Sequence, residues 1–231
     1  VVGAMTDITY RKEYEESLRQ LNASLDQRAK QLAVSNAELE QFAYIASHDL
    51  QEPLRMVTGF LQQLQKKYST VLDQKGLQYI HYASDGAVRM RQIILDLLDY
   101  SRVGRIEYQI EKINLNELMK EISRINSTVL EEKQALLTWD SLPEINGEKG
   151  PIFQLFQNFI SNALKYHKES VKPKVHVSYE ELKGYWQFTV SDNGIGIAEE
   201  YQSKIFEIFQ RLHHKNEYSG TGIGLAICKK I

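Results

Sequence analysis

Apolar positions in the first part of the chain recur at alternating steps of three and four, the spacing of one face of a long helix. Over about four heptads, this spacing predicts a coiled-coil seam with two polar insertions. After residue 46 one extra step of four shifts its phase, and the seam continues from Leu50 to Tyr68. The first stretch consists of Leu18, Leu21, Leu25, Arg28, Leu32, Ser35, Leu39, Phe42 and Ala46.

A break is predicted over residues 69–74, followed by a second amphipathic helix. Two such helices joined by a short turn form a hairpin whose apolar stripe stays exposed. We therefore expect two copies to pair as a four-helix bundle. The positions predicted to point inward on the second helix are Leu77, Ile80, Ala83, Ala87, Met90, Ile94, Leu97 and Leu98.

Beyond residue 103 the pattern predicts shorter elements and a second, α+β domain, with the boundary near residues 104–113. The predicted helices cover residues 114–131, 151–167 and 224–231. The predicted extended segments cover residues 135–139, 174–179 and 185–191, the last two joined by a Lys183-Gly184 turn.

The composition is that of a globular protein: 231 residues, 42% hydrophobic and 25% charged. A formal net charge of −2 gives no reason to expect nucleic acid as a partner. The single cysteine, Cys228, excludes an intrachain disulfide. Because neither a membrane-spanning run nor a signal-peptide pattern occurs, we expect a cytoplasmic chain. An apolar, β-prone start over residues 1–9 and an uncapped final helix predict an excerpt of a longer protein.

One histidine stands out on the first helix, in AYIASHDLQEPLR (43–55). His48 lies about 200° around the helix from the neighbouring seam positions, so it is predicted to be exposed. Asp49 adjoins it, and Glu52 lies one turn further on the same face. Pro53 lacks the N–H that would bond the Asp49 carbonyl, which predicts a local bend or loosening. An imidazole activated by a carboxylate can attack a phosphoryl group; an ordinary solvated histidine is the alternative.

The helix over residues 151–167 carries a polar stripe opposite its apolar face. Asn158, Asn162 and Lys165 follow one another at steps of four and three. Two carboxamides and an ammonium could hold a hydrated divalent cation and phosphate oxygens, since Mg²⁺ prefers oxygen ligands and keeps several waters. An ordinary solvated face is the alternative.

Two glycine-rich segments permit close approach of the backbone to a ligand. SDNGIGI (191–197) follows a predicted strand, and its Asp192 offers an acceptor for an exocyclic amine. GTGIGL (220–225) opens a helix, where free N–H groups favour phosphate. Each segment alone is a weak signal, and no P-loop pattern occurs.

The segment between the glycine loops, IFEIFQRLHHKNEYS (205–219), pairs two phenylalanines with a basic run. That composition predicts a hinged lid over a phosphate, with Arg211 able to reach terminal-phosphate charge. We expect Phe206 and Phe209 to pack in the core.

In this order, the segments resemble the conserved boxes of two-component sensor histidine kinases, over nearly the whole chain. ASHDLQEPLR (46–55) is similar to the H box and QLFQNFISNALKYHK (154–168) to the N box. SDNGIGI and GTGIGLAICKKI are similar to the two glycine boxes, and IFEIFQRL to the F box. The ATP fold that the resemblance implies is shared with the Hsp90, gyrase and MutL ATPases, from which the H box separates this chain.

The resemblance implies a role for each matched position. His48 would be the phosphorylated residue, through Nε2, and Asp49 the acidic residue that assists it. Asn162 would hold Mg²⁺, and Asp192 would bond the adenine amine of ATP. The full set expected at the nucleotide is Asn158, Asn162, Lys165, Tyr166, Asp192, Gly194, Gly196, Arg211, Gly220, Gly222 and Gly224.

The fold class implied is multidomain, α and α+β. A long helical hairpin forms a dimeric four-helix bundle with an N-terminal coiled coil, followed by an α/β-sandwich ATP-binding domain truncated at its C-terminus. Residues 3–18 are similar to the last strand and exit helix of a PAS sensor domain. The SHDLQEPLR variant and the short lid are similar to those of phytochrome-like and PAS-linked kinases. The expected boundaries are 1–9 for the sensor end, 10–40 for the signalling coiled coil, 41–103 for the phosphoacceptor domain, 104–112 for a linker and 113–231 for the ATP-binding domain.

The implied activity is autophosphorylation of His48 by ATP and transfer to a response-regulator aspartate, in a homodimer under an upstream sensor. Glu52 stands where phosphatase-active members carry Thr or Asn, which argues against that activity. One alternative is a non-catalytic dimerisation and docking module with an inactive, truncated ATP domain. Another is an ATP-driven clamp of the Hsp90 type, which hydrolyses ATP without phosphohistidine. Phosphorylation within or between subunits depends on the handedness of the 69–74 turn.

Overall fold

The computed structural model describes residues 2–103, 109–168, 170–212, 218 and 220–231. In the first helix, the side chains of residues 2–7, 9, 39–40, 42–43 and 48 lie outside the described part. The chain divides into two units, Val1–Asp49 and Leu50–Ile231.

The first unit belongs to one helix, α1, which covers Val2–Tyr68 and continues into the second unit. The strand expected over residues 1–9 is therefore wrong, since the helix begins at Val2. A helix bonds its own backbone groups, whereas an isolated strand leaves them without a neighbouring strand. Within the first unit, the seam leucines with described side chains are exposed: Leu18, Leu21, Leu25 and Leu32.

The second helix, α2, covers Gln74–Arg102, so the break predicted over residues 69–74 is confirmed. Asp73 ends the turn as the N-cap of α2, because its Oδ1 accepts a hydrogen bond of 2.7 Å from the Gly76 N–H. Most positions predicted to point inward are buried or half-buried, but Ala83 and Met90 are exposed. One hairpin covers only part of each helix's apolar face.

The remaining elements form the α/β part of the second unit. Strand β1 (Glu111–Asn114) pairs antiparallel with β3 (Glu144–Gly147). The main sheet has the order β2-β4-β5, with β2 parallel to β4 and β4 antiparallel to β5. The other bounds are α3 Leu115–Ile125, α4 Ser127–Glu132, β2 Leu136–Trp139, α5 Lys149–Lys165, β4 Lys174–Leu182, β5 Tyr185–Asp192 and α6 Gly224–Lys230.

These bounds confirm every element predicted after residue 103, although the helix predicted over 114–131 is divided at Asn126. The hydrophobic pattern did not predict strands β1 and β3. Glu111 and Lys112, the last two residues of the predicted linker, pair with β3. The domain boundaries stay predictions. Residues 104–108 of that linker lie outside the described part.

The core of this domain lies between the helices and one face of the main sheet. Phe156 of α5 meets Phe188 of β5 edge to face, with ring centroids 5.7 Å apart. Each fully buried large side chain contributes about 1.5–3 kcal/mol by removal from water. The buried set includes Leu115, Leu118, Met119, Ile122, Phe156, Ile160, Leu164, Val175 and Val177.

A buried amide ties the α3–α4 junction to α5. The Asn126 side chain donates to the Ile122 carbonyl at 2.7 Å and to Gln157 Oε1 at 3.1 Å. An unsatisfied buried amide would cost free energy, so these two bonds fix the point where the helical segment turns.

The single cysteine lies in α6. Cys228 is buried, and burial raises the pKa of its thiol to about 11. No helix within the described ranges is both long and apolar enough to cross a membrane.

Candidate functional site

A cavity of about 420 Å³ lies where α5 and β5 end, beneath the segment 195–212. This volume is within the range typical of small-molecule sites. Its walls are mostly apolar, with Phe159, Ala163 and Val190 on one side and Ile205, Phe206 and Leu212 on the other. The polar lining residues are Asn162, Tyr166, Asp192, Gln202, Gln210 and Arg211.

The predicted polar stripe lies at the C-terminal half of α5. Asn162 lines the cavity, and Lys165 is half-buried beside it. The ammonium of Lys165 donates to Tyr166 Oη at 2.7 Å and lies 4.1 Å from the centre of that ring. Asn158 is used differently, because its Nδ2 donates to the Gly224 carbonyl at 3.2 Å and so joins α5 to α6.

Two cations lie close to each other here, Arg211 in the cavity lining and Lys165 beside it. Burial, together with the charge of the Arg211 guanidinium, lowers the pKa of Lys165 to about 8. Burial also raises the pKa of the Tyr166 hydroxyl. An anion bound here would relieve both the desolvation of the ammonium and the repulsion between the cations.

The first glycine loop rests on the end of α5. Asp192 ends β5, and its Oδ1 accepts from the Gly194 N–H at 2.8 Å. A Cβ at Gly194 would lie 2.3 Å from the Tyr166 carbonyl oxygen, so only glycine fits. The Ile195 N–H donates to that same carbonyl at 3.1 Å. Gly196 follows in the left-handed region and lines the cavity.

The second glycine loop lies against the polar stripe of α5. A Cβ at Gly220 would lie 2.7 Å from Lys165 Nζ, and one at Gly224 would lie 3.4 Å from Asn158 Oδ1. Gly220 and Gly222 both have positive φ. The structure therefore brings this loop to the cation at the cavity, although its glycines do not line the cavity itself.

Arg211 and Tyr218, both within the predicted lid, are joined by a hydrogen bond. Arg211 Nη2 donates to the Tyr218 carbonyl at 2.6 Å. Tyr218 Oη donates to the His167 carbonyl at 3.1 Å, and its ring lies 5.0 Å from that of Tyr166. Residues 213–217 and 219 lie outside the described part. Sequence reasoning missed Tyr218, although it is the one aromatic residue in a polar run.

Neither of the two phenylalanines expected in the core belongs to it. Phe206 is half-buried and lines the cavity, and Phe209 is 53% exposed. Phe209 has a φ of 66°, and its N–H donates to the Gly222 carbonyl at 3.1 Å. The turn that makes this backbone bond leaves the ring in solvent. Gln202 and Gln210, also missed, line the cavity; short polar turns give no periodic signal that would reveal them.

The backbone of His48 lies within α1, while its side chain lies outside the described part. Asp49 is exposed. The roles of these two residues stay predictions.

A second hollow, of about 620 Å³, lies between β1 and α3. Its lining is charged, but cations and carboxylates pair there: Lys120 Nζ lies 2.8 Å from Glu117 and Lys149 Nζ 3.7 Å from Glu121. Paired charges have little attraction left for a ligand. The cavity at the end of α5 is therefore the candidate site.

Comparison with known proteins finds two family models on this chain, one after the other. The His Kinase A (phospho-acceptor) domain matches residues 38–106. The histidine kinase-, DNA gyrase B- and HSP90-like ATPase family matches residues 147–231. The ATPase match contains the cavity and both glycine loops.

Among curated proteins, cyanobacterial phytochrome A of Nostoc sp. is 44% identical over 216 residues, which is 93% of this chain and 28% of that protein. The phytochrome-like protein Cph1 of Synechocystis sp. is 40% identical over 207 residues, 90% of this chain and 28% of that protein. The chain thus spans little more than a quarter of the length of these relatives.

Among solved structures, the crystal structure of full-length ShkA in complex with AMPPNP superposes with a TM-score of 0.62 at 24% identity. The match covers 82% of this chain and 40% of that one, and it shows the fold alone. A phosphoacceptor domain followed by an ATPase domain, with phytochrome-type relatives on both, establishes that this chain belongs to the two-component sensor histidine kinases, among the phytochrome-like members.

Proposed function

We propose that this chain is a kinase core that transfers the γ-phosphoryl group of ATP to His48 and then to an aspartate of a response-regulator receiver domain. One observation carries the proposal: the mostly apolar cavity at the end of α5 is lined by Arg211 and Asp192, and Lys165 lies beside it against the lining residue Tyr166. An anionic nucleotide with a flat, apolar base has the complementary chemistry.

The residues present fit ATP. The apolar walls suit the base, and in this proposal the Asp192 carboxylate, which lines the cavity at the end of β5, accepts from an exocyclic amine of that base. Lys165 and Arg211 suit the phosphates, since charge-assisted hydrogen bonds to phosphate oxygens are the strong ones. The two glycine loops let the backbone come close on either side of Lys165 and Tyr166.

Asn162 lines the same cavity and fits Mg²⁺. Its amide oxygen is a hard ligand, and Mg²⁺ commonly takes few protein ligands beside waters and phosphate oxygens. When bound, the ion offsets charge on the transferring phosphoryl group.

In the proposed first step an imidazole nitrogen of His48 forms the new bond to the γ-phosphorus. The bond from that phosphorus to the β–γ bridging oxygen breaks, and ADP leaves. Asp49 accepts the imidazole proton or stabilises its charge. In the second step an aspartate oxygen of the receiver takes the phosphoryl group, and His48 is regenerated.

We propose a homodimer for this reaction, because the exposed leucines of α1 lie at the spacing of a coiled-coil seam. In this proposal residues 10–40 carry the signal from a sensor to the phosphoacceptor domain, residues 41–103. Glu52 replaces the Thr or Asn that phosphatase activity requires, so we propose a kinase without that activity. Dependence on ATP places the reaction in the cytoplasm.

The test is incubation with γ-labelled ATP and Mg²⁺, followed by acid and base treatment of the labelled protein. Base-stable, acid-labile label is expected on the chain and is expected to vanish in His48→Gln. His81→Gln is the matched control, since His81 is an exposed histidine on α2. His48→Gln should still bind ATP, because the residues proposed to hold the nucleotide belong to α5, to β5 and to the loops that follow β5.

Two outcomes would replace the proposal. Neither label nor nucleotide binding would favour the non-catalytic docking module. Hydrolysis of ATP without any phosphohistidine would favour an ATP-driven clamp.

A further inference from the structure

The last turns of α2 pack against α6 and the loop that precedes it. Ile223 and Ile227 are almost completely buried there against Val103, with Tyr100 at the edge. Lys230 fastens the far end of α6, because its Nζ donates to the Tyr100 carbonyl at 2.8 Å and lies 4.7 Å from that ring's centre. The ATP-binding domain is thus attached to the phosphoacceptor-domain helix by its own glycine loop and final helix.

Asp96 is the polar contact at the other end of this interface. Its Oδ2 accepts a hydrogen bond from Thr221 Oγ1, and its Oδ1 accepts one of 2.7 Å from Gln92 Nε2. Asp96 and Tyr100 lie one turn apart on α2, so they present one face to α6.

Thr221 connects this contact to the candidate nucleotide site. It stands between Gly220 and Gly222, and a Cβ on Gly220 would lie 2.7 Å from Lys165 Nζ. The loop therefore has Lys165, the cation of the cavity, on one side and a carboxylate of α2 on the other. Only this short loop would separate an anion bound by Lys165 from the Asp96 carboxylate.

The charge at this end of α2 opposes such an anion. Asp99 lies one turn from Asp96; burial and the Asp96 charge raise the pKa of Asp99, and the Arg102 charge offsets only part of that rise. Asp96 and Asp99 already repel each other, and the phosphates of a bound nucleotide would add further negative charge nearby.

We propose that Asp96 is a charge-sensing latch, which holds the second glycine loop on α2 through Thr221. A bound triphosphate weakens this contact more than a bound diphosphate does. Docking of the loop and binding of ATP then oppose each other, and by linkage each weakens the other by the same factor. This inference rests on the proposed nucleotide site. ATP binding would release the domain from α2, whereas ADP, with one phosphate fewer, would leave it docked.

The experiment measures ATP and ADP affinity by isothermal titration calorimetry for the unmodified chain, for Asp96→Asn and for Asp85→Asn. Asparagine keeps the shape and an acceptor for Thr221 but removes the charge. Asp85 is the matched control, since it lies on α2 and pairs with Arg89 one turn away. We expect Asp96→Asn to tighten ATP binding about fivefold or more and ADP binding by a smaller factor. Asp85→Asn should change neither.

The difference between the effects of Asp96→Asn on ATP affinity and on ADP affinity should also shrink in high salt, because the Debye length is only about 3 Å at 1 M. A merely structural role for Asp96 would move both affinities together and would not depend on salt. Equal effects on ATP and ADP, or none, in a variant whose thermal unfolding is unchanged would overturn the latch while leaving the nucleotide site intact. Failure of the unmodified chain to bind either nucleotide would overturn both.

Discussion

Lys165 should make nucleotide affinity depend on pH in a range where few other groups titrate. Burial and the neighbouring Arg211 lower its pKa from an ordinary 10.5 to about 8. Phosphate oxygens beside the ammonium would raise that pKa again, so binding takes up a proton above pH 8. The affinity for ATP is therefore highest below the pKa of Lys165 in the nucleotide-free protein, and it falls as the pH rises through that pKa.

The size of the effect follows from the protonated fraction. With a free-state pKa near 8, this fraction drops from about nine-tenths at pH 7 to about one-tenth at pH 9, a loss of about tenfold in affinity or about 1.4 kcal/mol. Because the ammonium is only half-buried, screening reduces this to between about threefold and tenfold. Deprotonation of the terminal phosphate is nearly complete by pH 7.5, since such groups titrate near pH 6.

The assay is calorimetric titration of ATP at pH 7, 8 and 9, at constant free Mg²⁺, in two buffers of different ionisation enthalpy. The difference between buffers measures the protons taken up. Lys165→Arg should abolish the slope, because a guanidinium stays charged throughout. Lys168→Arg, at an exposed position three residues away, should keep it. An equal slope in Lys165→Arg, or no slope in the unmodified chain, would refute the reasoning.

Two further substitutions test the packing around the site and the core. Gly194→Ala places a methyl group 2.3 Å from the Tyr166 carbonyl, so we expect a loss of about 1–3 kcal/mol in urea unfolding together with weaker ATP binding. At Gly59, where a Cβ would meet nothing within 4 Å, the same change should stabilise the helix by about 0.5–1 kcal/mol, and a comparable loss there would contradict the steric explanation. Asn126→Ala leaves Gln157 and the Ile122 carbonyl with fewer partners, which should cost about 1–3 kcal/mol in the same assay; a cost below about 0.5 kcal/mol would mean that water replaces the amide.

Periodicity predicted the parts of this fold in which one face repeats over many residues. The hairpin helices, α5 and the β4–β5 pair all have such a pattern, and all were found close to their predicted bounds. Strands β1 and β3 have four residues each and pair across about thirty residues of sequence, so no local signal marks them. The helical start at Val2 shows the converse failure, because β-branched residues favour a strand only when a neighbouring strand is present.

The motifs likewise predicted part of the candidate site. Asn162, Asp192 and Arg211, three of the residues expected at the nucleotide, line one cavity. The orientation of Phe209 and the contact between Thr221 and Asp96 were not predictable, because each depends on a loop conformation or a partner far away in sequence.

The burial of Cys228 makes the reactivity of its thiol a measure of local opening in this protein. The thiol lies in α6, within 4.0 Å of the Leu155 carbonyl, and is the chain's only cysteine. Alkylating reagents react with thiolate, which burial suppresses here, so modification must await a transient opening of α6. The rate of thiol labelling therefore reports, without any engineered probe, how often this helix detaches from α5 and α2.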